Sequence, residues 1–297
     1  MNYLDIQGHQ VRVSNLDKIL WPDVGVTKGD MIKYYIKVAD KLLAVLSGRL
    51  VSMQRFPDGI KGEGFYQKNC PQGAPPWVKT QRLERGGGKS TNYILVDSLA
   101  TLVWLANSGV IEFHPWLSPA HSLDTPDWAV FDLDPMEKYG LREVCQVVLF
   151  FGEMLEHMGL RGQPKYSGAT GMQIFVPIEP IYSYPQIRDF VGLCCRFAEQ
   201  KFKDWTTTER AVANRQGKIY LDYMQNAREK TIVAAYSLRP VSGARYSAPL
   251  TWAEVEDLRP EKYCLENALQ GAEPGPWLKE IKPQRLEAAL ERLKTWA

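Results

Sequence analysis

The chain has 297 residues, of which 45% are hydrophobic and 24% charged, so it can form one large globular domain or two lobes. No run approaches the roughly 20 uncharged apolar residues of a membrane helix, and the N-terminus lacks the pattern of a signal peptide, so we expect neither. The net charge of +2 does not by itself indicate a nucleic-acid binder. The five cysteines include no Cys-x-x-Cys pair, which favours reduced thiols over a zinc site or disulfides.

The first half of the chain alternates strand and helix patterns. In chain order they predict a hairpin over 3–15, a helix over 31–46 opened by a Thr27–Asp30 capping box, a strand over 50–56, irregular structure over 62–77, two strands within 78–96, a helix over 98–109 capped by Asp97, and a strand over 110–116.

The second half continues the mixture without a regular βαβ alternation. It predicts a strand over 127–135, a helix over 141–159, a strand, glycine turn and strand within 164–178, a helix over 184–202, strands within 217–226 and 231–240, and a C-terminal helix over about 283–296. Frequent hairpin-like pairs predict an α+β fold with mixed or antiparallel central sheets flanked by helices. No clear linker is present, so we expect a single domain over 1–297.

Two carboxylates stand at the end of the apolar strand "WAVFDLDP". Asp132 and Asp134 are two residues apart, so both side chains point to the same side of a strand. A divalent cation such as Mg²⁺ or Mn²⁺ would offset their repulsion, although aspartates at a strand end also serve as simple caps. Asp222 in "KIYLDYMQN" offers a third carboxylate for two ions, and its alternative is a salt bridge with a neighbouring Arg or Lys.

Phosphate-binding candidates also lie at turns and strand ends. The turn "YSGATG" offers backbone N–H groups with the hydroxyls of Ser167 and Thr170, but it lacks the P-loop ending, and most such turns are only hairpins. His114 and Arg239 end predicted strands, where either side chain could neutralise a triphosphate. A lone histidine is more often structural.

Several segments occur in an order that is similar to one family. They are "NLDKILWP", "TKGD", "RFPDGIKGEGFYQK", "EFHPW", "VFDLDP", "SGATGMQIFVP", "DYMQN" and "AAYSLRP". From about Asn15 to about Trp252 the chain resembles the polymerase domain of bacterial ligase D, of the archaeo-eukaryotic primase superfamily, which serves non-homologous end joining with Ku. The resemblance implies a primase-polymerase fold of two subdomains around one cleft. It also implies a nucleotidyltransferase that fills gaps and extends DNA ends with NTP or dNTP, favouring ribonucleotides.

The resemblance assigns roles position by position. Asp132, Asp134 and Asp222 resemble a catalytic triad that holds two Mn²⁺ or Mg²⁺ ions. The nucleotide-binding positions are His114, Ser167, Gly168, Thr170, Gln173, Lys230 and Arg239. Lys18 and Lys28 match lysines that hold a 5′-phosphate across a gap, and the template-binding positions are Arg55, Phe65 and Tyr66. The loop "NRQGK" corresponds to a region that brings two DNA ends together.

Two positions depart from the family pattern Ser-Gly-Ser-Lys-Gly-x-His. Thr170 stands where a lysine is usual and Gln173 where a histidine is usual. The nucleotide pocket therefore loses one charge and one titratable group. We expect an altered nucleotide affinity or sugar preference with the metal chemistry kept.

Expected partners follow from what the chain contains and lacks. No Lys-x-Asp-Gly ligase signature is present, and there are only four histidines, too few for a histidine-rich phosphoesterase segment. The missing signature predicts a separate ligase as a partner. The resemblance implies gapped or broken DNA ends and Ku as the other partners, with no membrane and a place in the cytoplasm at the nucleoid. The alternatives are a primase that starts chains de novo and a non-catalytic module that tethers DNA ends. A phosphohydrolase is disfavoured because no water-positioning set accompanies the triad.

Overall fold

The computed structural model describes residues 2–278 and 281–295. The helices are α1 Lys28–Lys37, α2 Ala39–Leu46, α3 Leu99–Asn107, α4 Leu141–His157, α5 Tyr184–Lys201, α6 Trp252–Glu256, α7 Leu265–Leu269 and α8 Glu287–Lys294. The strands are β1 Asn2–Ile6, β2 His9–Val13, β3 Ile19–Trp21, β4 Val26–Thr27, β5 Val51–Arg55, β6 Phe65–Gln67, β7 Thr80–Arg85, β8 Lys89–Ile94, β9 Val110–Pro115, β10 Trp128–Asp134, β11 Gln163–Tyr166, β12 Met172–Pro177, β13 Thr206–Thr207, β14 Ile219–Leu221 and β15 Ala248–Pro249.

The chain divides into two units. The first unit comprises residues 1–116, 231–247 and 260–274. Its main sheet runs in the order β6-β5-β8-β7, and β9 also pairs with β5. Helices α1 and α3 pack together, and α3 is buried along most of its length because its sequence, LATLVWLAN, is apolar on nearly every face.

The second unit comprises residues 117–230, 248–259 and 275–297. Its six-stranded sheet has the order β13-β14-β10-β12-β11-β15, and all its pairs are antiparallel except β13 with β14. The central strands β10 and β12 are buried over most of their length, and α4 and α5 contact β10. This burial is expected of strands that are apolar on both faces.

The α+β prediction is confirmed, with largely antiparallel sheets and flanking helices. The prediction that both units form one domain around a single cleft stays a prediction. No helix within the described ranges is long and apolar enough to cross a bilayer.

Three local predictions in the first unit were wrong. The helix over 31–46 is two helices that meet at Val38. The cap of α3 is Ser98, whose hydroxyl accepts from the Thr101 N–H, while the Asp97 carboxylate binds the Lys79 ammonium at 2.7 Å. The segment predicted as irregular contains β6, because its residues form a ladder with β5 that the local Gly and Pro content does not reveal.

Predictions for three later segments also differ from the structure, in the first case because contacts with distant segments replace strand pairing. No strand forms over 231–240: the backbone N–H groups of Ala234 and Tyr236 bond to two separate segments, at Phe113 and Ser247, and Tyr236 has a φ of +69° that interrupts an extended chain. The strand over 217–226 is only Ile219–Leu221, so Asp222 lies one residue beyond it. The C-terminal helix is shorter than predicted, Glu287–Lys294, and the last two residues lie outside the described ranges.

Candidate active site

Asp132 and Asp134 lie on β10, between β12 and β14. Asp132 is opposite Gln173 on β12, and Asp134 is opposite Tyr220 on β14, while Leu133 between the two aspartates is buried. Asp132 is partly buried and Asp134 is exposed. The two carboxylates therefore share one side of the sheet, at the point where the strand reaches the surface.

Gly171 lets the neighbouring turn approach this strand end closely. A Cβ at this position would stand 2.5 Å from the Leu133 carbonyl oxygen and 3.2 Å from Asp134 Oδ1. The first distance is shorter than real Cβ contacts, so any larger residue would push the turn away from β10. Glycine at this position keeps the turn against the carboxylates.

The surroundings of the Asp132 carboxylate disfavour its ionised form. Burial raises its pKa well above the usual value, and the charges of Asp134 and Asp222 raise it further. A hydrogen bond from Gln173 Nε2 to Asp132 Oδ1, 2.9 Å long, and the charge of Lys165 act in the opposite direction. The raising causes dominate, so this site favours an added positive charge.

Asp222 is held next to β10 by its backbone and by a neighbouring ring. Its N–H donates to the Asp132 carbonyl at 2.8 Å, and the Tyr220 hydroxyl donates to Asp222 Oδ1 at 3.1 Å. The Arg215 guanidinium lies over the Tyr220 ring, 3.5 Å from its centroid. The backbone of Asp222 is thus fixed beside Asp132, while its carboxylate bonds to a tyrosine.

The turn after Asp222 is clamped to β10 by Asn226. The buried Asn226 side chain accepts from the Val130 N–H at 2.9 Å and donates to the Val130 carbonyl at 2.7 Å. It also donates to the Tyr223 carbonyl at 3.2 Å. This side-chain amide makes the two hydrogen bonds that a paired strand residue would make with Val130. It thereby positions the segment that carries Asp222.

The donor chemistry of this carboxylate cluster fits a hard divalent cation. Three carboxylates gather on one side of the sheet, and the buried Gln173 Oε1 beside them has no hydrogen-bond partner. Within the described ranges, however, no three His, Cys, Asp or Glu side chains stand ready to share one ion. Asp132 and Asp134 are the residues that would hold a first cation, and Asp222 would join them by turning its carboxylate from Tyr220.

The turn that follows β11 is closed by Ser167. Its hydroxyl oxygen accepts from the N–H groups of Ala169 at 3.2 Å and Gly171 at 3.1 Å. Gly168 has a φ of +81°, which this tight turn requires and which glycine adopts without strain. Two of the N–H groups that we proposed as a phosphate cradle therefore already have a partner, and Thr170 is exposed.

In the first unit, His114 and Arg239 meet at a carboxylate that sequence reasoning missed. Glu112 lies two residues before His114 on β9; its oxygens bind His114 Nε2 at 2.8 Å and Arg239 Nε at 2.5 Å. Burial by itself would raise the Glu112 pKa, but the His114 hydrogen bond and the Arg239 charge outweigh it, and the net pKa is lowered. The spacing of two on a strand was the signal, since it places Glu112 and His114 on one face.

The three predicted template-binding residues do not lie together in the structure. Phe65 lies under the Arg55 guanidinium, 5.2 Å from ring centroid to carbon, and both line a cavity of about 480 Å³. Arg55 donates to the Ser108 carbonyl at 2.8 and 3.1 Å. Tyr66 instead contacts the His114 ring edge to face, with centroids 5.6 Å apart.

Lys18 and Lys28 lie together at the start of α1. The Lys28 N–H donates to the Lys18 carbonyl at 2.8 Å, and the Lys18 ammonium lies 2.5 Å from Asp58. Burial and the Lys18 charge lower the Lys28 pKa to about 8. In the second unit, Lys230 is exposed and belongs to none of the groups above.

A buried lysine was also missed by the sequence analysis. Lys165 on β11 is opposite Gln173, which is itself opposite Asp132, so the three residues form one row across three strands. Lys165 is completely buried, and its charge lowers the pKa of Asp132. A lysine inside the strand "PKYS" was the available signal, because a charged residue in a buried strand requires a partner.

Comparison with known proteins identifies relatives along nearly the whole chain. The family model for the LigD primase-polymerase domain matches residues 27–275. The bifunctional non-homologous end joining protein LigD of Bacillus subtilis is 34% identical over 292 residues, which is 96% of this chain and 47% of that protein. The multifunctional LigD of Pseudomonas aeruginosa is 30% identical over 277 residues, 93% of this chain and 31% of that protein.

A solved structure of a ligase D polymerase domain is also similar to this chain. The polymerase domain of Mycobacterium tuberculosis ligase D, in complex with DNA, superposes with a TM-score of 0.81 at 28% identity. The match covers 91% of this chain and 97% of that chain. The chain therefore spans one solved domain almost completely, but half or less of the full-length relatives.

Proposed function

We propose that this chain, which belongs to the LigD primase-polymerase domain family, fills gaps and extends ends at DNA double-strand breaks. Membership of that family makes it a nucleotidyltransferase of the DNA-directed polymerase and primase type. The proposal places it in non-homologous end joining at the nucleoid, beside Ku and a separate ligase. It also includes a template-directed reaction with a preference for ribonucleotides. The observation that carries the proposal is the carboxylate cluster at the end of β10.

The second unit supplies the carboxylates that would hold the cations of the proposed reaction. Asp132 and Asp134, joined by Asp222, would hold two divalent cations, Mn²⁺ or Mg²⁺, which stabilise the attacking 3′-oxygen and the leaving pyrophosphate when bound. Gln173 orients Asp132 through its 2.9 Å hydrogen bond. Asn226 and the Asp222 N–H keep the backbone that carries the third carboxylate beside Asp132, so catalysis rests on positioning and electrostatics.

Cationic groups of the first unit fit phosphate recognition. Glu112 holds His114 and Arg239 in fixed orientations, and the Trp21 indole N–H donates to the Arg239 carbonyl at 3.2 Å. We assign these two side chains to the phosphates of the incoming nucleotide. Lys28 and Lys18 are assigned to the 5′-phosphate on the far side of a gap, where the start of α1 favours an anion.

A primer-extension assay tests the proposal. The substrate is a labelled primer on a gapped duplex, with or without a downstream 5′-phosphate, supplied with Mn²⁺ and either ribonucleotides or deoxyribonucleotides. The wild type is compared with Asp132→Asn and with Asp189→Asn, whose carboxylate is 72% exposed on α5. We expect extension by the wild type and the Asp189 variant, stimulation by the 5′-phosphate, faster use of ribonucleotides, and a loss of at least 100-fold for Asp132→Asn, as for loss of a central electrostatic group.

Each other outcome points to a different function. Extension that ignores the 5′-phosphate, together with synthesis on an unprimed single strand, would favour a primase. DNA binding without extension under any condition would favour an end-tethering module. Extension that survives in Asp132→Asn would refute the assignment of the carboxylate cluster.

A further inference from the structure

A cavity of about 760 Å³ lies in the second unit, between α4, β11 and α6. Its walls come from the last turns of α4, the first residues of β11 and the side chains of α6, and none of the residues assigned to the polymerase reaction lines it. A volume of roughly 300–1,000 Å³ is typical of pockets that accept a small molecule or a few large side chains. We call this cavity the α4 groove.

The α4 groove meets the sheet away from the carboxylate cluster. Gln163, which lines the groove, is opposite Phe175 on β12, and Phe175 is opposite Val130 on β10. With strands about 4.8 Å apart and about 3.3 Å between successive residues, the backbone of Gln163 lies about 12 Å from that of Asp132. A molecule in the groove therefore has no need to touch the carboxylates at the end of β10.

A glycine inside α4 shapes one wall of the groove. A Cβ at Gly152 would stand 2.8 Å from the Trp252 ring, so glycine lets this indole lie against the helix. Trp252 is half-buried, and its Nε1–H donates to the Gly162 carbonyl at 3.2 Å. Glycine in a helix interior costs about 0.5–1 kcal/mol relative to alanine, and the packing of the indole offsets that cost. The wall is thus formed by the packing of the chain itself.

The floor of the groove is apolar. Leu155, Leu160 and Leu250 line it as buried side chains, while Leu149 and Ile281 stay partly exposed. Partly exposed apolar side chains inside a polar rim are typical of surfaces that bind another protein. The floor therefore offers room for apolar side chains from a partner.

The rim of the groove is acidic. Glu153 and Glu156 lie three residues apart on α4, Glu256 ends α6, and all three are exposed. Within residues 2–278 and 281–295, none of these carboxylates makes a hydrogen bond or an ion pair. Arg161 is the cation among the lining residues, so the lining carries three negative charges and one positive charge, a net of −2, whereas the whole chain carries +2. Like charges one turn apart repel, so a cation brought by a partner would stabilise this rim.

We propose that the α4 groove docks a helical segment of a partner protein, which presents apolar side chains on one face and Lys or Arg beside them. The apolar side chains fill the floor, as in other helix-in-groove complexes, and the cations pair with the carboxylates of the rim. The negative rim repels phosphate, which disfavours DNA as the occupant. The proposal goes beyond gap filling, because it adds a surface that holds another protein on this chain while the carboxylate cluster stays open.

Peptide selection tests the proposal. Phage-displayed random peptides are selected on the intact chain, and the enriched sequences are made as fluorescein-labelled synthetic peptides for anisotropy titrations. Hydrogen exchange of the wild type, with and without each peptide, maps the binding site independently of any variant. The charge-reversed variant combines Glu153→Lys with Glu156→Lys. The matched control combines Asp124→Lys with Asp189→Lys, whose carboxylates are 81% and 72% exposed in the same unit.

We expect enriched peptides with apolar residues at helical spacing and a positive net charge, and slowed exchange over 149–156 and 250–256. Their affinity should be at least tenfold lower for the charge-reversed variant and unchanged for the control, and neither polylysine nor gapped duplex DNA should displace them from the wild type. Thermal unfolding of both variants checks that they fold, and the exchange map of the wild type decides the matter if the charge-reversed variant does not.

Other outcomes would overturn the proposal. These are a selection that yields no binder or only acidic peptides, slowed exchange confined to other segments, and equal affinity for the charge-reversed variant and the wild type. Displacement by polylysine would show that charge alone attracts the peptides, without use of the apolar floor. Displacement by gapped DNA would show that the peptides occupy a nucleic-acid site.

Discussion

Replacing Asp132 by Asn should abolish activity and yet stabilise the metal-free protein. The variant removes one charge of the cluster but keeps an oxygen that can accept the hydrogen bond from Gln173 Nε2. Burial, Asp134 and Asp222 all disfavour the charge at Asp132, so its removal relieves the folded protein. Residues of an active site commonly lower stability in this way.

The size of the effect follows from the geometry of β10. Side chains two apart on a strand are about 6.7 Å apart, and two charges at that distance repel by about 2.5 kcal/mol at an effective dielectric constant of about 20. Because Asp134 is exposed to solvent, the realistic gain is about 1 kcal/mol, or a rise of about 2 °C in Tm for a chain of this size.

The pH dependence has a definite sign. A carboxyl whose pKa is raised on folding destabilises the folded protein above its ordinary value of 3.8, and the cost grows until the pH passes the folded pKa. The advantage of Asp132→Asn should therefore be largest at neutral pH and should vanish below pH 3.8.

Calorimetry with and without metal ions gives the measurement. In EDTA at pH 7, Asp132→Asn should melt above the wild type, while saturating Mn²⁺ should raise the Tm of the wild type more than that of the variant. Asp189→Asn, which changes a carboxylate that is 72% exposed, should stay within about 0.5 kcal/mol of the wild type in both buffers. A lower Tm for Asp132→Asn in EDTA, or equal Mn²⁺ shifts, would refute the electrostatic reasoning.

Three further predictions concern the residues around the proposed phosphates. Glu112→Gln leaves the Arg239 guanidinium without its carboxylate and should cost about 3 kcal/mol in urea unfolding at pH 7. Because the Glu112 pKa is lowered on folding, that loss should disappear as the pH falls well below 4.5. Gln173→His restores a titratable group beside Asp132 and should change the nucleotide KM, measured by steady-state extension, with the metal requirement kept. Since the Lys28 pKa is about 8, the preference for a 5′-phosphate should weaken by up to about tenfold in all between pH 7 and pH 9 in anisotropy titrations.

Each of these three predictions has a contrary result, and the first and third also have a control variant. Equal unfolding midpoints for Glu112→Gln and wild type at pH 7 would count against the buried ion pair, and Glu84→Gln, whose carboxylate is 66% exposed, serves as its control. An unchanged KM in Gln173→His would remove that side chain from nucleotide recognition. A 5′-phosphate preference that stays constant to pH 9 would contradict the lowered pKa of Lys28, and Lys28→Arg supplies the pH-independent reference.

Local signals in the sequence predicted the parts of the fold that depend on neighbours along the chain. The Thr27–Asp30 capping box is present as predicted, because both of its hydrogen bonds join residues three apart. Asp132 and Asp134 share a side of β10 because a strand alternates every residue. The order of the short motifs was sufficient to identify the family.

Tertiary contacts decided what those signals could not reach. The segment 231–240 has the composition of a strand, yet its backbone bonds to two distant segments and no ladder forms. Glu112 meets Arg239 across 127 positions of sequence, and Asn226 clamps Val130 across 96. Charged and polar residues at strand ends were therefore visible in the sequence, whereas the partners that orient them were not. The burial that lowers the Lys28 pKa likewise exists only once segment 16–18 has folded over α1, since desolvation is a property of packing and not of residue type.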